Sequence, residues 1–191
     1  MRKTVAILAT LVACLGLARP AIAQVERGPV PAPGMVGVGF TMSAAVPRDD
    51  TLQTGPQLGI SADAYLTRRV SVRGLFATSW MDVTRHSFSG SSNPLTFNGS
   101  VVYNFEGGAI HPFLTGGMGV YHFRFQNNDL SGSDTTVGGS FGGGAEWFVT
   151  RRDTIVGEFT YHAINGPVVT PMTSHNPSFW TISGGYKKYF K

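Results

Sequence analysis

Apolar and polar residues alternate along most of the chain after residue 35, which is the period-two pattern of a β-strand with one apolar face. In the first such run Val36, Val38 and Phe40 are apolar, whereas Thr41 and Ser43 on the other face are polar. The alternation recurs in eight runs of about ten residues, the length that crosses a bilayer at a tilt. No window has the period of a helix, so the pattern predicts an all-β protein.

One run, at residues 113–126, is less regular than the others. Leu114, Met118 and Val120 share a face with His122 and Arg124. A face that is apolar at one end and carries imidazole and guanidinium groups at the other does not show which side meets the surroundings. The pattern therefore leaves the facing of this strand open.

The connections between the runs alternate in length. Three short turns lie at residues 67–69, 106–110 and 150–153, and four longer polar loops lie at 47–56, 84–94, 127–135 and 165–177. Short turns at one rim and long loops at the other are typical of outer-membrane barrels, whose periplasmic turns are tight. The chain is therefore predicted to form an eight-stranded antiparallel up-and-down transmembrane β-barrel, closed by pairing of the Val36 strand with the Trp180 strand.

Alternation alone does not decide whether the apolar face points outward to lipid or inward to a core, since a secreted lipocalin-like barrel also alternates. Aromatic residues on the apolar face gather at the strand ends in two groups, as the interfacial girdles of a membrane barrel do. The group toward the long loops is Trp80, Tyr161 and Trp180, and the group toward the short turns is Tyr103, Phe105, Trp147, Tyr186 and Phe190. We therefore expect the apolar face to meet lipid.

The polar face carries charged side chains that we expect to point into the lumen. They are Asp63, Arg73, Glu146, Glu158 and Lys187. An eight-stranded barrel has an interior just wide enough for side chains to fill it. The sequence thus predicts a hydrogen-bonded ionic network that plugs the lumen, and little or no ion current through it.

Turn lengths predict how these charges face one another. If the turn at 67–69 pairs Leu66 with Val70, then Asp63 lies directly opposite Arg73. A second turn with two arginines lies at 150–153. If it is read in the same way, Val149 is opposite Ile155, and Glu146 is therefore opposite Glu158. Two facing carboxylates repel, so we expect a cation, Arg73 or Lys187, to reach across the lumen to them.

The N-terminus predicts an export signal. Arg2 and Lys3 form a basic start, residues 4–17 are almost all apolar, and Ala21-Ile22-Ala23 has the small-x-small form of a cleavage site. We expect a signal peptide at 1–23, a Pro-rich periplasmic leader at 24–34 and the barrel at 35–191. A lipoprotein signal acylated at Cys14 is the alternative, and it leaves an apolar stretch of only about seven residues.

Composition excludes several other classes of protein. Arg2, Lys3 and Arg19 leave with the signal, so 12 of the 15 Lys and Arg remain against 11 Asp and Glu, and the basic balance does not indicate nucleic acid. The single Cys leaves as well, which excludes disulfides and thiolate metal sites from the exported chain. Only 14% of the residues are charged and 12% are aromatic, unlike a disordered chain.

Two segments carry a resemblance to a known family. Pro112-Phe113-Leu114-Thr115-Gly116-Gly117-Met118-Gly119 and Gly184-Gly185-Tyr186-Lys187-Lys188-Tyr189-Phe190, together with the strand pattern, resemble the small OmpA/OmpX-type outer-membrane β-barrels. Phe190 resembles the C-terminal aromatic residue by which the assembly machinery recognises its clients, although one Lys follows it. The resemblance covers residues 35–191. It implies contact with outer-membrane lipids, lipopolysaccharide and the assembly machinery, a monomeric barrel and no cofactor.

A weaker resemblance concerns chemistry. Residues 158–166, which contain His162, are similar to the lipid A 3-O-deacylase barrels, which place a His and a Ser two residues apart, then an Asn, and complete the triad with a downstream carboxylate. Here Ile164 occupies the Ser position, and no Asp or Glu follows Glu158. His162 and Asn165 are all that remains, and a Ser nucleophile needs both a base and an orienting group. We therefore predict no catalytic site, with His162 the one candidate.

Together these patterns predict an integral protein of the bacterial outer membrane with a structural or surface-interaction role. Its plugged polar lumen and four extracellular loops are expected to carry that role, without metal or cofactor. The alternatives are a deacylase-like hydrolase that modifies lipid A, or a narrow pore. Residue pattern alone identifies no ligand or surface partner.

Overall fold

The computed structural model describes residues 32–48, 52–85, 88–105, 108–126, 131–164, 168–170, 173–175 and 177–190. The predicted signal peptide at 1–23, most of the predicted leader at 24–34, and Asn165 lie outside the described residues. Within the described part of the chain, no helix is long and apolar enough to cross a membrane.

All regular elements in the described ranges are β-strands. They are β1 (Val36–Pro47), β2 (Gly55–Tyr65), β3 (Val70–Ser79), β4 (Met81–Arg85), β5 (Phe88–Ser92), β6 (Leu95–Asn104), β7 (Ile110–Gln126), β8 (Ser131–Phe148), β9 (Asp153–Ile164), β10 (Val168–Thr170), β11 (Thr173–His175) and β12 (Phe179–Phe190). Eight of them, β1, β2, β3, β6, β7, β8, β9 and β12, form the wall of a barrel in that order. Short hairpins β4–β5 and β10–β11 lie in two of the connections between wall strands.

The wall closes on itself by pairing the first strand with the last. In the β1–β12 ladder Val36 is opposite Phe190 and Val46 is opposite Trp180. The β7–β8 ladder joins the two ends of the sheet on the far side, and every neighbouring pair is antiparallel. Closure leaves no unpaired edge within the wall, which is what a bilayer requires of a β-structure. The predicted eight-stranded antiparallel barrel is confirmed.

Apolar side chains of the wall point outward. Val38 of β1, Phe97 of β6 and Met118 of β7 are 51%, 62% and 75% exposed, although they lie within wall strands. The strand whose facing the sequence left open follows the same rule, because Leu114 and Val120 are exposed beside Met118. A broad exposed apolar band of this kind matches the lipid-facing surface of a membrane barrel.

Several strands continue into segments that the sequence predicted as loops. Polar positions 84–94 contain part of β4 and all of β5, and β8 begins at Ser131 inside the predicted loop 127–135. Residues 165–177 contain the β10–β11 hairpin. The prediction of loops at these positions was wrong because it recognised strands only by an apolar face. Strands that extend into water can be polar on their outer face.

The register at the second Arg-Arg turn also differs from the prediction. The Val149 N–H donates to the Asp153 carbonyl at 3.0 Å, so Val149 closes the turn on Asp153 and not on Ile155. Glu146 is therefore opposite Val156, and the predicted opposition of Glu146 and Glu158 is wrong. The turn at 67–69 has the predicted register, with Asp63 opposite Arg73.

A run of glycines in β8 lets this strand pack closely against its neighbours. A Cβ added to Gly144 would lie 2.1 Å from the Gly157 carbonyl oxygen and 2.8 Å from the Phe113 ring. A Cβ on Gly142 would lie 2.3 Å from the Phe159 carbonyl oxygen. A side chain at either position would push β8 away from β9, so the close packing of these two strands requires glycine at 142 and 144.

Candidate functional site

Buried side chains lie in layers inside the lumen, and the layer nearest the short turns is aromatic. Met35, Tyr65, Phe148 and Tyr189 form one buried cluster there. The Tyr189 ring stands 5.7 Å from the Tyr65 ring and 5.7 Å from the Phe148 ring, the second pair being stacked. His111 packs its ring edge against Phe148 at 5.0 Å. This layer closes the end of the barrel from which both termini of the wall emerge.

An ionic cluster lies directly above the aromatic layer, and it contains all five charged side chains predicted for the lumen. Arg73 is its centre: Nε donates to Asp63 Oδ1 at 2.7 Å and Nη1 donates to Glu158 Oε2 at 2.6 Å. Because β3 and β9 are separated by four positions in the eight-stranded wall, the second bond spans the lumen. A third carboxylate, that of Glu146, lies 3.8 Å from Arg73 Nη2.

Lys187, on β12, is the second cation of the cluster and contacts the carboxylates of Glu146 and Asp63. Its Nζ lies 2.5 Å from Glu146 Oε1 and 3.1 Å from Asp63 Oδ2, and its side chain is only 1% exposed. Tyr189 donates its hydroxyl proton to Glu146 Oε2 at 2.7 Å, which ties the ionic cluster to the aromatic layer below. Each carboxylate thus has a cationic partner, and buried charges persist only with such partners.

The charges of this cluster do not cancel when every group is ionised. Asp63, Glu146 and Glu158 carry three negative charges, against two positive charges on Arg73 and Lys187. Glu158 lies at the edge of the cluster and is its most exposed member, at 18% of its side chain. Thr160 donates its hydroxyl proton to Glu158 Oε1 at 2.8 Å and so adds a neutral partner to this carboxylate.

A small polar chamber lies above Glu158. It is lined mainly by hydroxyl and amide side chains, among them Thr41, Ser61, Asn98, Ser140 and Thr181. Its volume is about 40 Å³, enough for about three water molecules. Asn98 Nδ2 donates to Ser140 Oγ at 2.9 Å across the wall of the chamber. The chamber is suited to bound water and too small for an organic substrate.

A second apolar layer closes the chamber on the side of the long loops. It consists of Ala45, Met81, Tyr121, Phe123, Ile164 and Phe179. His162 lies beneath it, stacked on the Phe179 ring at 4.6 Å, with its Nδ1 2.8 Å from the Tyr121 hydroxyl and its Nε2 3.4 Å from Thr181 Oγ1. The imidazole is therefore held on both nitrogens by neutral hydroxyls.

The candidate catalytic residue therefore lies inside the barrel. His162 is 3% exposed and faces the lumen, whereas the acyl chains of a lipid meet only the outer wall. Ile164, at the position where the deacylases carry Ser, is 3% exposed and packs in the upper apolar layer. The described residues contain no group of three or more His, Cys, Asp and Glu side chains arranged to hold a metal ion.

The aromatic residues predicted for the membrane interfaces lie on the outer wall. Trp180 is paired with Tyr161 toward the long loops, and their rings lie 4.4 Å apart. Tyr103 and Phe105 contact each other edge to face at 5.1 Å at the opposite rim. The other predicted members, Trp80, Trp147, Tyr186 and Phe190, are all exposed.

Sequence reasoning missed the aromatic residues inside the lumen, but a short segment that occurs twice in the sequence in similar form contains a signal for them. Residues 63–69 read Asp-Ala-Tyr-Leu-Thr-Arg-Arg, and residues 146–152 read Glu-Trp-Phe-Val-Thr-Arg-Arg. The acids of both copies bind Lys187, and the third residues, Tyr65 and Phe148, both pack on Tyr189. Since β2 and β8 are four positions apart in the wall, the two copies face each other across the lumen.

A closed antiparallel wall of eight strands, apolar outside and filled with polar and aromatic side chains inside, defines a transmembrane β-barrel of the bacterial outer membrane. A family model described as the outer membrane protein beta-barrel domain matches residues 7–187. The chain belongs to this family, and it lies in the bacterial outer membrane. No curated protein matched the sequence.

Solved structures show the same fold. Neisserial surface protein A (NspA) aligns with a TM-score of 0.67 at 15% identity, over 82% of this chain and 99% of that chain. OprG from Pseudomonas aeruginosa aligns with a TM-score of 0.60 at 15% identity, over 83% and 97%. Ail, the attachment invasion locus protein of Yersinia pestis, aligns with a TM-score of 0.59 at 12% identity, over 83% and 99%. Identities this low establish the fold and leave the role to be argued from this chain.

Proposed function

We propose that the protein is a non-catalytic outer-membrane scaffold, closed to ions, that displays an extracellular β-ribbon for interactions at the cell surface. The ribbon is defined as residues 121–126 of β7 and 131–136 of β8. The observation that carries the proposal is the β7–β8 ladder, which runs without interruption from Ile110 opposite Trp147 to Gln126 opposite Ser131. One pair of strands thus connects the filled lumen to a surface outside the membrane.

The length of the two strands supports this role for the ribbon. Outward-facing apolar side chains end at Val120 on β7 and at Val137 on β8, and both strands continue beyond these residues. Six further residues at about 3.3 Å each extend the strands by about 20 Å along their own direction. Exposed positions in this part are polar, with Arg124, Gln126 and Ser133 among them. Polar strands that leave the lipid are suited to contact with water and with other molecules.

The ribbon is anchored at its base. Tyr121 and Phe123 are almost fully buried, and they pack with Phe179 and Ile164 in the upper apolar layer. One strand of the neighbouring hairpin also reaches the ribbon, since Ser91 and Ser92 of β5 are paired with Gln126 and Phe125. Buried anchors hold the base of the ribbon in a defined orientation, which is what a recognition surface on a rigid scaffold requires.

Names of structurally similar proteins agree with a surface role. One is described as a surface protein and another as an attachment invasion locus protein. The proposal takes from them only the class of role, and the present chain supplies the ribbon. We further propose that the barrel acts as a monomer, contacts outer-membrane lipids and lipopolysaccharide, and is inserted by the outer-membrane assembly machinery.

Removal of the ribbon tip tests the proposed role. In the variant, residues 124–133 are replaced by Asn-Gly, which joins Phe123 to its partner Asp134 by a two-residue hairpin turn. Both buried anchors of β7 remain, so we expect the barrel to keep its heat-modifiable gel mobility. Cells that display the variant are expected to lose most of their attachment to epithelial monolayers relative to cells with the intact protein. Equal attachment by both would contradict the proposal.

Absence of catalysis is tested on lipid A itself. Expression of the intact protein is expected to leave the lipid A mass spectrum unchanged, because the buried His162 has neither a Ser nor a carboxylate partner in the described residues. His162→Ala serves as the matched variant and is expected to give the same spectrum. Loss of an acyl chain with the intact protein that His162→Ala abolishes would support the hydrolase alternative.

A further inference from the structure

The chain reverses its direction immediately before β1. The Met35 N–H donates to the Ala32 carbonyl at 3.1 Å, and Gly34 has a φ of +82°. Proline at the first central position and a positive φ at the second mark a type II turn, here formed by Pro33 and Gly34. The Ala32 N–H also donates to Met35 Sδ at 3.1 Å, so two hydrogen bonds close the turn.

The Ala32–Met35 turn is fixed to the end of β2 and to the aromatic layer. The Gly34 N–H donates to the Tyr65 carbonyl and the Tyr65 N–H donates to the Met35 carbonyl, both at 2.9 Å. Met35 is buried in the aromatic layer, and Ala32 packs against the same layer. We call the end of the lumen bordered by this layer the periplasmic mouth, because tight turns of outer-membrane barrels face the periplasm. Ala32 therefore lies against the mouth.

Two buried polar side chains near the mouth have no hydrogen-bond partner within the described residues. Both Oδ1 and Nδ2 of Asn104 are unpartnered, although the residue is only 2% exposed, and the buried Ser71 Oγ is unpartnered as well. Folded proteins leave few buried polar groups without a partner. An amide offers two donors and an acceptor, so the missing partner of Asn104 has to supply both kinds of group.

Three neighbouring wall strands lead from the turn to Asn104. Tyr65 of β2, to which the turn is bonded, is opposite Ser71 of β3. Ser71 is opposite Val102 of β6 on its other side, and Asn104 lies two residues further along the same inner face of β6. The unpartnered groups thus lie beside the place where the chain reaches the mouth.

The Pro-rich leader has the chemistry and the length to reach them. Residues 24–31, which number eight, read Gln-Val-Glu-Arg-Gly-Pro-Val-Pro. Proline favours the polyproline II conformation, which makes no internal hydrogen bonds and leaves carbonyl and N–H groups available. At about 3.1 Å per residue this length spans about 25 Å. Strands about 4.8 Å apart and tilted by about 40° place opposite sides of an eight-stranded wall about 16 Å apart, so the leader can cross the mouth.

We propose that residues 24–31 form a strap across the periplasmic mouth, held by the Ala32–Met35 turn at one end and by the Asn104 amide further on. A backbone carbonyl of the strap accepts a hydrogen bond from Asn104 Nδ2, and a backbone N–H donates to Oδ1. The strap covers the aromatic layer from the periplasmic side. The inference is independent of the role proposed for the ribbon.

Trypsin cleavage after Arg27, the one Lys or Arg among residues 24–31, tests the strap. The exported protein in detergent micelles is compared with a synthetic peptide of residues 24–35, and the product that begins at Gly28 is quantified by mass spectrometry. We expect the intact barrel to be cleaved more slowly than the peptide by about tenfold, because a protease cuts only the fraction of strap that has left the mouth.

Two variants release the strap at different points. Asn104→Leu removes the amide, and Gly34→Val opposes the turn through its positive φ alone, since a Cβ on Gly34 would meet no atom within 4 Å. Each is expected to raise the cleavage rate of the barrel by about tenfold. The matched controls are Asn93→Leu, exposed at the opposite end, and Gly132→Val, where a Cβ also has open space, and both are expected to leave the rate unchanged.

Heat-modifiable gel mobility confirms that each variant is folded. Cleavage of the intact barrel at the rate of the free peptide would overturn the proposal, and Asn104 would then bind water or a segment of another protein. An unchanged rate in Asn104→Leu would also overturn it, since the leader would be held elsewhere. The same conclusion would follow if the two controls accelerated cleavage as much as the two variants.

Discussion

Arg73→Met is expected to lower the free energy of unfolding by about 3–5 kcal/mol, because Glu158 loses its cationic partner and Lys187 alone is left to balance the buried carboxylates of Asp63 and Glu146. Arg73 is the direct hydrogen-bond partner of Asp63 and Glu158, and Glu146 lies in its field. Met retains most of the apolar volume, so the loss reports on charge more than on packing. Urea unfolding of the barrel in detergent micelles, followed by tryptophan fluorescence, measures the change.

Arg124→Met is the control for this prediction. Arg124 is exposed on the ribbon, and exposed substitutions of this kind change stability by about 0.5 kcal/mol or less. A loss below about 1 kcal/mol in Arg73→Met would mean that water reaches the cluster and solvates the carboxylates. The ionic plug would then be no barrier to ions.

Lys187→Met is expected to destabilise the barrel to a similar extent, and a second substitution is expected to recover part of the loss. Lys187 Nζ lies between Glu146 and Asp63, whose carboxylates repel each other once the lysine is gone. Glu146→Gln removes one of these charges and keeps the shape of the side chain. In the double variant we expect about 1–3 kcal/mol of recovery, within the range of coupling between contacting residues.

Strict additivity would contradict this prediction. If Lys187→Met and Glu146→Gln each destabilise and the double variant shows the sum of the two losses, the two groups do not interact through charge. The matched pair for comparison is Arg124→Met with Glu146→Gln, whose members lie in different parts of the barrel and are expected to be additive.

The alternation of apolar and polar residues was sufficient to predict the fold, because successive residues of a membrane-barrel strand face lipid and lumen in turn. Each wall residue faces either lipid or lumen, so Val38, Phe97 and Trp147 on one face already imply the position of their neighbours. The turn at 67–69 then predicted that Asp63 faces Arg73. Pairing of the Val36 strand with the Trp180 strand followed from the requirement that the wall has no edge within the bilayer.

The register of the second turn was predicted wrongly, although the sequence contained the comparison that gives the correct one. Aligning Thr150-Arg151-Arg152 on Thr67-Arg68-Arg69 makes Asp153 equivalent to Val70. Asp153 thereby closes the turn, and the ladder moves by two residues from the predicted register. The error arose because Asp153 was taken as a turn residue, whereas it begins β9 and its side chain accepts a hydrogen bond from the Thr150 hydroxyl at the rim.

Contacts across the lumen were beyond the reach of local pattern. That Lys187 bridges Asp63 and Glu146, and that Tyr65 and Phe148 share Tyr189, depends on the diameter of the barrel and on the stagger of its strands. These quantities are set by all eight strands together. The ribbon was missed for a different reason, since its outward residues are polar and its inward anchors, Tyr121 and Phe123, lie in the strand whose facing was left open.

Closure of the lumen by its own side chains is tested most directly by single-channel recording. Purified barrel is reconstituted in planar bilayers bathed in about 1 M KCl, at which exposed charges are strongly screened. A known porin serves as the positive control. We expect no conductance steps from the intact barrel, because two apolar layers and the cluster around Arg73 lie across the described part of the lumen. A stable conductance from the intact barrel would contradict it.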